Sequence, residues 1–233
     1  MWRKRQARRA LAARILILFG SVAIGAPRAG VSAGERFVPP SLTKATDIPY
    51  PIEEKTTGLI TLSANLRITA EHLPAIQVLR DVPGTGLASA LVATWKYSPG
   101  MLDGKPAPST INIEVVFNPP DAAQRRLDLP PVSPTPPPLL DGYLPAEVAA
   151  GSFALCPVTK ADPGAVVLDV TIDKNGGVKK VDVIRDIPSL TQEAVTAVKR
   201  WTINRATFNG KPIESKLVVA FVFRPHRRYI GVQ

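Results

Sequence analysis

Ala165-Val-Val-Leu-Asp-Val-Thr-Ile-Asp-Lys-Asn-Gly-Gly-Val-Lys-Lys-Val-Asp-Val-Ile-Arg-Asp186 decides the fold. Val166, Leu168, Val170 and Ile172 alternate with Val167, Asp169, Thr171 and Asp173, the period-2 pattern of a half-buried strand. The run 173–177 is rich in residues that tolerate positive φ and predicts a hairpin turn. Residues 178–185 then read as the returning strand. Ser189-Leu-Thr-Gln192 has the form of a capping box, and Leu190, Ala194, Ala197, Val198 and Trp201 follow at helical spacing. After the Asn209-Gly210 turn, Leu217, Val219, Phe221 and Phe223 alternate again. The predicted order is strand, strand, helix, strand.

An earlier stretch repeats this order. Leu62, Ala64, Leu66 and Ile68 alternate; Leu87, Leu91 and Trp95 follow at helical spacing; Ile111, Ile113, Val115 and Phe117 close the unit. Trp95 and Trp201 are 106 residues apart, as are Gly104-Lys-Pro106 and Gly210-Lys-Pro212. Arg80-Asp-Val-Pro and Arg185-Asp-Ile-Pro are 105 apart. Trp95, Trp201, Gly104, Pro106, Gly210 and Pro212 are therefore read as structural anchors.

The second stretch resembles the C-terminal domain of the TonB family. The resemblance rests on Asp173 to Gly176 at a hairpin turn, a helix ending in Trp201, Gly210-Lys-Pro212 and the closing strand 217–223. Trp201-Thr-Ile-Asn departs from the family's usual sequence after the tryptophan; Trp95-Lys-Tyr-Ser-Pro-Gly100 in the first stretch is closer to it. The reading is an α+β protein of two tandem, degenerate copies. Each is a small domain with a three-stranded antiparallel sheet (β-β-α-β) and one helix on a face.

The expected boundaries are a signal peptide or short membrane anchor at 1–33, an irregular lead-in at 34–57, a first domain at 58–119, a Pro-rich linker at 120–142, a second domain at 143–226 and a basic tail at 227–233. Residues 129–138 predict an extended spacer of roughly 30 Å at about 3.1 Å per residue.

The formal charge of +10 is not spread evenly. Residues 1–33 hold seven basic residues and no acidic ones, leaving +3 for the rest. The basic excess thus belongs to a segment that also has an apolar core at 15–26 and small residues before position 34, the three parts of an export signal. Its twelve apolar residues would reach about 18 Å as a helix, short of a hydrocarbon core of about 30 Å. A nucleic-acid-binding role is disfavoured by the same charge location.

No catalytic constellation stands out. His72 and His226 are the only histidines and Cys156 the only cysteine. No cluster has metal-ligand spacing, and no cofactor motif is present. Asp169 and Asp173 are read as part of a solvated sheet face or hairpin edge. The expected functional group is backbone: an open sheet edge that takes an extended peptide by strand addition. The family resemblance implies that the last strand does this, here Leu217, Val218, Val219, Ala220, Phe221, Val222 and Phe223, with 111–117 its counterpart in the first copy. It also implies a protein partner in the periplasm, of which a segment of an outer-membrane transporter is one. An inner-membrane-anchored energy transducer is the alternative; a small hydrolase and a nucleic-acid binder are the remaining rivals.

Overall fold

Each half contributes three long strands and one helix. The computed structural model describes residues 36–51, 56–67, 73–83, 85–119, 125–129, 132, 139–156 and 163–224. The main elements are β1 (Gly58–Leu66), β2 (Ala75–Arg80), α1 (Thr85–Ala93), β3 (Ser109–Asn118), β4 (Gly164–Ile172), β5 (Val178–Arg185), α2 (Thr191–Val198) and β6 (Ser215–Phe223). The α+β class and the strand-strand-helix-strand order in both halves are as read from the sequence. The signal segment, both histidines and the basic tail lie outside the described residues.

The separate three-stranded domains are not what forms. All six strands make one sheet in the order β5-β4-β6-β3-β1-β2. Neighbours are antiparallel except at the centre, where β6 and β3 pair parallel from Val218↔Ile113 to Phe223↔Asn118. The last strands of the two halves therefore seal each other. The physical reason is in their composition. Val218, Ala220 and Val222 are as apolar as Val219, Phe221 and Phe223 between which they fall, so the strand is apolar on both faces. Such a strand cannot leave an edge in water; it is stable only with neighbours on both sides and cover above and below.

Side-chain alternation places the two cores on opposite faces of this sheet. Leu217, Val219, Phe221 and Phe223 pack with Ala194, Ala197, Val198 and Trp201 of the second half. Val218, Ala220 and Val222 pack with Ala88, Val92 and Trp95 of the first half. Each half thus shields the other's exposed sheet face. Trp95 and Trp201 are 2% and 6% exposed, and their indole N–H groups donate to Thr46 Oγ1 and the Ser152 carbonyl, both at 3.1 Å.

The correspondence extends to the small pairings. Phe37–Val38 pairs with Gly100–Leu102, and Tyr143–Leu144 with Thr207–Phe208. The two Gly-Lys-Pro hairpins have the same turn: Asp103 and Gly104 at φ 50 and 78°, Asn209 and Gly210 at φ 50 and 73°. Two consecutive positive φ values define the turn that matches strand twist, which is why glycine recurs there.

The expected spacer does not hold the halves apart, because β3 and β6 are in direct register. The part of the 120–142 linker that precedes the spacer is tied down as well. The Leu127 N–H donates to the Gly151 carbonyl at 2.9 Å, the Phe153 N–H to the Arg125 carbonyl at 3.0 Å, and Leu127 joins the α2-side core. The capping box does not form either. Helix α2 begins after Leu190 with no side-chain cap, and the hydroxyl of Ser189 is buried without a partner among the described residues. Thr191 Oγ1 instead accepts the Ile187 N–H at 3.0 Å.

The repeated Arg-Asp-x-Pro motif joins the halves reciprocally. Arg80 of the first half meets Glu147 of the second at 2.7 Å, and Arg185 of the second meets Asp47 of the first at 3.1 Å. Asp47 Oδ1 also accepts the Ala165 N–H at 2.8 Å.

Candidate protein-binding edge

Main-chain recognition needs strands with one unpaired side. The strand expected to serve, 217–223, is not one. It pairs with β4 along its whole length and with β3 from Val218 onward, and all seven of its residues are at most 1% exposed. Its counterpart 111–117 is flanked by β1 and β6. Among the described residues, the terminal strands of the sheet are β5 and β2.

Strand β5 is set by its hairpin. Asp173 Oδ1 accepts the Asn175 and Gly177 N–H groups at 2.7 and 2.9 Å, and its N–H donates to the Gly177 carbonyl at 2.8 Å. Those backbone donors, Gly177 first and then Asn175, hold the Asp173 carboxyl below the usual range. Gly176 sits at φ 91°, and a Cβ there would come within 2.4 Å of the Ile203 carbonyl oxygen. Only glycine fits, so the turn that presents β5 is fixed by both conformation and space.

Along β5 the pairing with β4 is interrupted twice, between Val167 and Leu168 and between Thr171 and Ile172. Such bulges increase local twist and are a common feature of strands at sheet edges. Val178 and Val181 lean on the α2-side core, while Val183 is 44% exposed. On the other face, Lys180 meets Asp182 at 2.7 Å and Lys216 meets Asp169 at 3.1 Å and Asp182 at 3.6 Å. Asp169 is buried, not on a solvated face as expected. Burial raises its pKa, and the nearby Lys216 offsets that in part. Edge β5 therefore offers an apolar contact, a charged stripe and, among the described residues, one side with no strand partner.

Edge β2 is less available. Arg80 at its end is 7% exposed and donates to Thr61 Oγ1 at 3.0 Å and Glu147 Oε1 at 2.7 Å. This guanidinium belongs to a buried polar cluster that sequence reading missed. Glu114, on central strand β3, is fully buried; Oε2 accepts the Thr61 hydroxyl at 2.6 Å, whereas Oε1 has no partner among the described residues. Desolvation pushes its pKa up to about 7, against the lowering pull of Thr61 and Arg80. The signal was a lone carboxylate inside Ile111-Asn-Ile-Glu-Val-Val-Phe117.

Among the described residues no group of His, Cys, Asp and Glu could hold a metal ion. Cys156 is buried, and burial raises its thiol pKa, the opposite of what a nucleophile needs. No described helix is long and apolar enough to cross a membrane.

In comparison with known protein families, residues 160–225 match the family described as the Gram-negative bacterial TonB protein C-terminal. The match spans β4, β5, α2 and β6. That family is a non-enzymatic protein-interaction domain. No curated protein and no solved structure matches the chain.

Proposed function

We propose that this chain is a protein-interaction module of the cell envelope, exported through residues 1–33, in which two TonB-C-like halves are fused through their last strands. Its partner is an extended protein segment, of which an outer-membrane transporter segment is one instance. The partner adds to edge β5 instead of to 217–223. The observation that carries this reading is the position of β5: it is the terminal strand of the sheet within the family-matched region. Displacing β3 to free the other edge would uncover both cores at once. At about 25 cal/mol per Å² of apolar surface, that cost exceeds what a short peptide returns.

The test is site-specific photo-cross-linking in the full chain. A photoreactive residue at Val183 captures the partner from a Gram-negative envelope extract, and the same residue at Lys105, on the Gly-Lys-Pro hairpin of the other half, does not. Equal capture from both positions, or none from Val183, contradicts strand addition at β5.

A further inference from the structure

A cleft lies where residues 36–39 pass the end of β4 and the start of β6. Residues 215–217 pair with β4 alone, because the β3 ladder starts only at Val218. The cleft measures about 560 Å³, within the span of small-ligand sites. Its walls include Phe37, Val38 and Ile213, with Arg36 and Lys174 alongside.

The charges there are not all committed. Lys216 is held by Asp169 and Asp182, and Glu214 is held by Lys179 at 2.5 Å. The Arg36 guanidinium and the Lys174 ammonium make no ion pair among the described residues; the Arg36 backbone meets Asp103, its N–H donating to Oδ1 at 2.8 Å and its carbonyl accepting the Asp103 N–H at 3.0 Å. A second observation points the same way. Ser215 lines the cleft, is 1% exposed, and its hydroxyl has no partner among the described residues. Ser109, 106 residues earlier in the equivalent place, is satisfied: its Oγ accepts the Gly100 N–H at 2.7 Å. A buried polar group left unpaired costs free energy, so an unmet hydroxyl beside two unspent cations marks a place for an acceptor.

We infer that this cleft binds a carboxylate carried on a partly apolar body. The guanidinium fork of Arg36 suits a carboxylate, Lys174 adds a point charge, and Phe37, Val38 and Ile213 favour an organic anion over a bare inorganic one. The inference is independent of partner capture at β5.

Titration calorimetry on the full chain tests it, with acetyl-Val-Glu-Val-Glu-amide as the probe and its Gln counterpart as control. The Glu peptide binds and the Gln peptide does not. Arg36→Ala and Lys174→Ala each weaken binding about tenfold, the usual effect of losing a charge-assisted contact. Ser215→Ala weakens it too, without lowering the melting temperature, since the hydroxyl has no partner to lose. Citrate as competitor separates the sources: displacement means that free organic acids also enter, and no displacement means that the peptide body is required. Inorganic phosphate competing as well as citrate would overturn the assignment to organic carboxylates. Absence of binding, or binding unchanged in both Arg36→Ala and Lys174→Ala, would overturn the site itself.

Discussion

Glu114→Gln isolates the buried carboxylate at the junction of the halves. In the folded chain the Glu114 pKa is pushed up to about 7 from an ordinary 4.5, chiefly because its charged form is desolvated on β3. Arg80 and the Thr61 hydroxyl oppose the shift, Glu147 adds to it, and the Val148 N–H favours the anion without completing a bond to Oε1. A raised folded-state pKa means that the folded chain holds this proton more tightly than the unfolded chain. The stability that Glu114 contributes is therefore full below about pH 4.5 and is lost as pH rises through about 7. At 1.36 kcal/mol per unit, the loss is about 3 kcal/mol. Gln at this position stays neutral. Urea unfolding at pH 5 and pH 8 reads the effect: the wild type loses about 2.5 kcal/mol more than the variant across that interval. Equal pH slopes for both chains would refute the assignment of a raised pKa to Glu114.

Trp95→Ala and Trp201→Ala each cost about 3–5 kcal/mol in urea unfolding, the usual range for a buried Trp. Because the cores share one sheet, both variants lower the same single transition; two separable transitions would contradict the shared sheet. Val218→Pro and Ala220→Pro each remove a ladder donor from an interior strand, and circular dichroism finds both unfolded or strongly destabilised. Protease nicking within 120–142 leaves the two fragments co-eluting in native gel filtration, since β3 and β6 hold them together.

Much of this fold was legible in the sequence. The alternation in 165–172, the Asp173-to-Gly177 turn, and the Trp and Gly-Lys-Pro spacings marked both hairpins, both helices and the shared element order. What was not legible was which edges meet. The reading followed Leu217, Val219, Phe221 and Phe223 and took the strand as half-buried, although Val218, Ala220 and Val222 are apolar as well. A strand apolar on both faces is one covered on both faces, and that pattern pointed away from an exposed edge. The paired Arg-Asp-x-Pro motifs were visible as a repeat. Their reciprocal contacts with Glu147 and Asp47 were not, since the partners lie 67 and 138 residues away. Glu114 was hidden for a related reason: a single acidic residue in an apolar run carries no period of its own. The unmet Ser215 hydroxyl is legible only beside its satisfied counterpart Ser109, which needs coordinates.

Native-state hydrogen exchange, read residue by residue in the full chain, tests most directly whether β6 is interior and β5 open. The amides of 217–223 are predicted to exchange only with global unfolding, while alternate amides of 178–185 exchange orders of magnitude faster through their unpaired side. Fast exchange at alternate amides of 217–223, with uniform protection along 178–185, would contradict the account.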